Sequence, residues 1–138
     1  MIVYVDSSVF LRFVLEQPER LTELDRCERL VTSVLAEVEC LRAVDNLRLA
    51  GSLLSDEYLS LRRAVYDKLR RSERVLITPE VLARSAGPLP APLRTLDAIH
   101  LATALEWRGH REPSLSFATH DQRLADAAAS LGFQVIGA

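Results

Sequence analysis

The chain has 138 residues, 49% of them apolar, and a formal net charge of −2 at pH 7. That length suits one domain over residues 1–138, the apolar share excludes a disordered chain, and the near-neutral charge does not by itself mark a nucleic-acid binder. The apolar runs are short and broken by charge, and residues 1–8 have neither the basic region nor the long apolar stretch of a signal peptide, so the expectation is a cytoplasmic protein with no membrane span.

An apolar run at residues 2–5 reads as a strand that ends in Asp6, and a helical pattern follows over 8–15. A weaker helical pattern covers 18–28. A second strand-like run at 30–32 leads into a helical segment over 34–49. The next helical segment, 56–72, has Leu59, Leu61, Val65 and Leu69 on its apolar side and gathers Arg62, Arg63, Lys68, Arg70 and Arg71, with Arg74 just beyond. A run at 75–77 and a short helix at 79–85 precede the Pro-rich loop over 87–92. The remaining pattern is a helix over 94–107, a strand over 115–118, a helix over 122–131 and a strand over 133–136. Largely apolar strands alternating with helices predict an α/β fold, with a central parallel sheet of about five strands flanked by helices. Cys27 and Cys40 form no CxxC pair and no zinc pattern, so both are expected to be reduced thiols.

In open parallel sheets, ligands bind beyond the carboxyl ends of the strands. Asp6 and Asp121 both follow strands and precede helices; the plain alternative for each is a helix cap that accepts an orphan backbone N–H. Glu37 is placed by the helical period on the apolar face of 34–49, with Glu39 pointing nearly the opposite way. Its plain alternative is a residue at the stripe's edge that reaches water. Asp97 opens a segment that is apolar nearly all round, where an ionised carboxylate is costly without a cation or a bond partner. His100, three residues on, is the candidate partner and otherwise a structural residue of that helix; His110 and His120 read as loop residues. No basic residue is an obvious mate for all four acids. A hard divalent cation, Mg²⁺ or Mn²⁺, would relieve their repulsion and support phosphodiester hydrolysis. No His/Cys set fits zinc and no GxxxxGK[ST] loop marks a nucleoside-triphosphate site.

Four segments together resemble the PIN-domain family, specifically VapC-type toxins of bacterial toxin–antitoxin pairs. They are VYVDSS at 3–8, TSVLAEV at 32–38, LDAIHLATA at 96–104 and FATHDQRLA at 117–125, with LGF at 131–133 closing the last helix. The resemblance implies a metal-dependent ribonuclease. It carries the family's Mg²⁺- or Mn²⁺-binding acids over to Asp6, Glu37, Asp97 and Asp121, and supporting or phosphate-contacting hydroxyls to Ser7 and Thr119. It further implies a homodimer, an RNA substrate and a small antitoxin whose tail covers the site. Arg62, Arg63, Arg70 and Arg71 then stand as candidate RNA-backbone contacts, against the plain reading of a solvated helix face. Competing readings are a catalytically silent PIN-like module that binds RNA or protein, and a DNA-directed nuclease. A phosphoacceptor receiver domain needs a lysine near the acids, and the only lysine, Lys68, lies in the basic helix.

Overall fold

The computed structural model describes residues 1–138. Its strands are β1 (Ile2–Val5), β2 (Arg29–Ser33), β3 (Glu73–Val75), β4 (Ser116–Ala118) and β5 (Gln134–Ile136). They form one sheet in the order β3-β2-β1-β4-β5, with every neighbouring pair parallel. The helices are α1 (Ser7–Val14), α2 (Leu35–Leu49), α3 (Ser55–Arg70), α4 (Pro79–Ala86), α5 (Thr95–His110) and α6 (Gln122–Ser130). The expected fold class is the one observed.

Successive strand residues point to opposite faces, and β1 uses both. Val3 and Val5 pack with Val9, Phe10, Ala36, Cys40, Val44, Val65 and Leu69 from α1, α2 and α3. Tyr4 points the other way, with Leu101, Ala104 and Leu105 of α5 and Leu124, Ala127 and Ala128 of α6. Its ring stacks on Phe117 at 5.3 Å between centroids. Because helices cover both faces, β1 shows an unbroken apolar run rather than alternation. Each fully buried side chain of this kind stabilises the fold by about 1.5–3 kcal/mol.

The strand order has a direct consequence for function. From β1 the chain runs outward through β2 to β3, then returns to the other side of β1 as β4 and continues to β5. The direction of winding therefore switches between β1 and β4, which opens a crevice at their carboxyl ends. Asp6 leaves β1 there and Thr119 leaves β4 there. The Asp6 amide donates to the Ala118 carbonyl, and the Thr119 amide to the Ile136 carbonyl. Gly137 turns away just beyond, with φ at +99°; a Cβ there would meet the Thr119 carbonyl oxygen at 2.8 Å. Only glycine suits both demands.

Several elements differ from the sequence reading. The segment 18–28 holds only a 3-10 turn, Thr22–Arg26, with Leu21 and Leu24 the buried side chains to either side of its start. β3 lies two residues earlier than expected, since Glu73, Arg74 and Val75 pair with Val31, Thr32 and Ser33. Leu76 then leaves the sheet edge and is exposed. On α3, Val65 and Leu69 are buried and Leu61 partly so, whereas Leu59 is exposed. Cys27 and Cys40 are free thiols, and burial, then the negative charges of Glu39 and Asp6, push the Cys40 thiol up to about 12. No helix is long and apolar enough to cross a membrane.

A candidate active site at the carboxyl ends of β1 and β4

Asp6 is a helix cap and more. Its Oδ1 accepts from the Val9 amide at 2.9 Å and from Ser8 Oγ at 3.0 Å. Its Oδ2 accepts from Thr119 Oγ1 at 2.6 Å. The same Thr119 oxygen accepts the Asp121 amide at 3.0 Å, so one buried hydroxyl ties the ends of β1 and β4 together. Asp121 caps α6 through the Leu124 amide at 3.0 Å and leaves its side chain exposed to the crevice. Capping and site-building are thus compatible roles for both aspartates: capping fixes the carboxylate, and the strand ends set where it is fixed.

Asp97 lies in the first turn of α5, half-buried at the crevice. Burial and the negative charges of Asp121 and Asp6 push its carboxyl above the ordinary value; Glu39 adds to this and only His100 opposes it. These influences bring Asp6, Asp97, Asp121 and Glu39 into one electrostatic neighbourhood. Glu37 is absent from it.

The geometry sets Glu37, expected among these acids, apart from them. The buried stripe of α2 is Ala36, Cys40 and Val44, and Glu37 and Glu39 flank it on opposite sides. Glu37 turns toward β3, where its Oε1 lies 3.9 Å from Arg74 Nη1. Glu39 turns toward α1 and α5, where its Oε1 accepts from Ser7 Oγ and lies 2.8 Å from His100 Nε2. Burial pushes the Glu39 carboxyl up, but His100 and Ser7 outweigh burial and hold it below the ordinary value. The helical period alone located the stripe; it could not say which flank meets Ser7 and His100.

His100 does not bond Asp97, as its i, i+3 spacing suggested. Its ring is buried beneath the crevice, with Nδ1 2.7 Å from the Tyr4 hydroxyl and Nε2 within reach of Glu39 and, at 3.0 Å, of Ser7 Oγ. Burial keeps the Tyr4 hydroxyl protonated well above its ordinary range. Ser7, itself buried, spends its hydroxyl on this network rather than presenting it to the open crevice.

The open cleft above holds about 550 Å³ and is lined by Asp97, Asp121 and Asp126 together with Pro92, Arg94 and Arg123. The two arginines were missed in the sequence, although Arg123 falls inside the fourth segment and Arg94 lies two residues before the third. The basic residues of α3 do not line this cleft. Arg62 lies over the rings of Tyr58 and Tyr66, Arg70 pairs with Asp67, and Arg71 borders grooves shared with Phe13 and Asp25. His110 is exposed beside Glu106. His120 Nε2 is buried without a partner, and burial followed by Arg12 lowers the ring's affinity for a proton.

No three His, Cys, Asp or Glu side chains are grouped so that they alone could hold a metal ion. The donors around the cleft fit a hard cation all the same. They are carboxylate oxygens, and only His100 opposes the repulsion at Asp97. Mg²⁺ is ordinarily held by one or two carboxylates, waters and substrate phosphate rather than by an all-protein cage.

Residues 3–130 match the family described as PIN domain. The chain is 37% identical over 138 residues to a protein named Ribonuclease VapC46 of Mycobacterium tuberculosis, an alignment covering 97% of this chain and 95% of that one. It is 39% identical over 114 residues to Ribonuclease VapC35 of the same species, covering 81% of this chain and 76% of the relative. Among solved structures, a toxin–antitoxin complex from Klebsiella pneumoniae superposes with a TM-score of 0.66 at 17% identity, covering 89% of this chain and 90% of that one.

Proposed function

This chain belongs to the PIN-domain family, and on that premise we propose that it is a ribonuclease that hydrolyses RNA phosphodiester bonds with the help of a divalent cation, Mg²⁺ or Mn²⁺. The observation that carries the reading is the state of Asp97: burial, Asp121 and Asp6 all disfavour its charge, and no protein cation bonds it. Like charges gathered at a topological switch point are relieved by a bound cation, and a phosphodiester is a natural substrate for such a pair.

Asp6, Asp97 and Asp121 hold the cation in this reading, with Glu39 in the place first assigned to Glu37. A bound cation polarises the phosphoryl oxygen and lowers the pKa of the attacking water. The chain supplies the rest. Thr119 fixes Asp6 relative to Asp121. Ser7 and His100 occupy Glu39 Oε1 and leave Oε2 without a protein donor. Capping of α1 and α6 holds two of the carboxylates in place before substrate arrives, so little reorganisation remains for the reaction.

The biological role proposed is the toxin of a type II toxin–antitoxin system, cytoplasmic and homodimeric, silenced by a small antitoxin that binds over the site. Relatives named VapC and the fold shared with a toxin–antitoxin complex support this role. The test is cleavage of single-stranded RNA by purified protein in Mg²⁺ or Mn²⁺, in EDTA, and with Asp6→Asn. Cleavage that survives EDTA undiminished refutes the cation's role. Arrest of bacterial growth on expression, relieved by co-expression of the neighbouring small protein, is the expected cellular result; normal growth with active protein refutes the toxin role.

A further inference from the structure

Arg94, the residue preceding α5, and Arg123, in the first turn of α6, line the cleft that also holds Asp97, Asp121 and Asp126. Both arginines are exposed. Neither guanidinium lies within 4.0 Å of a carboxylate oxygen. Arg123 Nη1 instead donates to the Pro92 carbonyl at 3.4 Å. Other arginines without a carboxylate partner, such as Arg62, Arg63 and Arg71, do not line a cleft that holds three aspartates; Arg94 and Arg123 do. Cations and anions that share one cleft without pairing leave a charged gap, since contact is the favoured arrangement for guanidinium and carboxylate.

A body that is negative toward the arginines and cation-bound toward the acids fits that gap. We infer that Arg94 and Arg123 form an anion subsite that grips the phosphodiester backbone of a single RNA strand beside the bond to be cut. The inference rests on the ribonuclease reading. Guanidinium forks match phosphate oxygens bidentately, and Mg²⁺ ordinarily completes its shell with substrate phosphate, so a phosphodiester satisfies both sides of the cleft at once. The basic face of α3 lacks the second half of this arrangement, because its arginines do not line the acid cleft.

The experiment compares wild type, Arg94→Gln, Arg123→Gln, the corresponding Lys variants and Arg62→Ala/Arg63→Ala. KM and kcat are measured on a single-stranded oligoribonucleotide in Mn²⁺ over a salt series. Binding of the same oligonucleotide is measured by fluorescence anisotropy in EDTA. Each Gln variant is expected to raise KM about tenfold, as loss of a charge-assisted bond requires. Its kcat should stay near wild type, because backbone contacts of this kind hold substrate and transition state alike. The log–log salt slope should shrink by roughly 0.7 per lost contact, and binding in EDTA should weaken in parallel. Lys variants should keep the slope and recover only part of the affinity, and the α3 double variant should match wild type. Melting temperatures should not move, because both side chains are exposed. If wild type cuts RNA while the Gln variants match it in KM, slope and EDTA binding, the subsite is refuted and the ribonuclease reading stands. If wild type neither cuts nor binds RNA, the ribonuclease reading itself falls.

Discussion

His100 Nε2 lies 2.8 Å from Glu39 Oε1, which joins α5 on one face of the sheet to α2 on the other across the carboxyl end of β1. Ser7 adds a second donor to the same oxygen, and Tyr4 holds the far side of the imidazole. This network lies directly beneath the acids. It locks the Glu39 side chain, with its oxygen already engaged, between two helices that otherwise belong to separate cores.

Removing one partner should therefore cost more than a surface pair would. His100→Ala is expected to destabilise the protein by about 2–4 kcal/mol, because it leaves a cavity and strips a partly buried carboxylate of its main donor. Cleavage should fall with it. Glu39→Gln should keep the fold and lose most activity, whereas Glu37→Gln should change either by little, since Glu37 faces Arg74 at the other flank of α2. Chemical denaturation and RNA cleavage assays on the three variants check this; loss of activity in Glu37→Gln with Glu39→Gln unaffected would reverse the assignment.

Asp97 should behave oppositely with respect to stability. Its carboxyl titrates above the ordinary value because burial, Asp121 and Asp6 disfavour its charge. Above that raised value the folded state carries a penalty that the unfolded chain lacks, and acidification through it restores stability. Asp97→Asn is therefore expected to raise the melting temperature of EDTA-treated protein at neutral pH and to abolish cleavage. Added Mn²⁺ should stabilise wild type more than the variant. A drop in melting temperature for the metal-free variant contradicts the repulsion.

Glu39 adds a dependence of the other sign. His100 and Ser7 hold its folded value below the ordinary one, despite burial, so its contribution is complete above the unfolded value of about 4.3 and is lost as pH falls through the folded value. Wild type should lose stability more steeply than Glu39→Gln over that acidic window, measured by thermal melting from pH 6 downward. Parallel curves would show that the carboxylate is not differentially held.

Gly137 offers a test far from the acids in sequence. Its φ of +99° and the 2.8 Å approach of a hypothetical Cβ to the Thr119 carbonyl make Gly137→Ala strained twice over. A cost of roughly 1–3 kcal/mol is expected. Because Thr119 bridges Asp6 and the Asp121 amide, kcat should fall more than the stability loss alone explains. Wild-type kcat in a destabilised but folded variant would uncouple β5 from the site.

The sequence by itself determined the class of fold and the helix and strand types of nearly every element, and it singled out Asp6, Asp97 and Asp121. Apolar runs covered on both faces could only be buried parallel strands, and an aspartate between a strand and a helix must sit at a strand's carboxyl end whatever the sheet order. Asp97 was legible because its segment is apolar all round, so its charge had no cheap place to go. Local pattern cannot choose between flanks of a helix, however. Glu37 and Glu39 border the same buried stripe, and only the position of α1 and α5 on one side of α2, with β3 on the other, decided that Glu39 meets Ser7 and His100 while Glu37 faces Arg74. The same holds for His100, whose partners come from β1, α1 and α2, and for Arg94 and Arg123, which share a cleft only because α5 and α6 start side by side. These are contacts between residues distant along the chain, and they follow from strand order, which no periodicity within one element encodes.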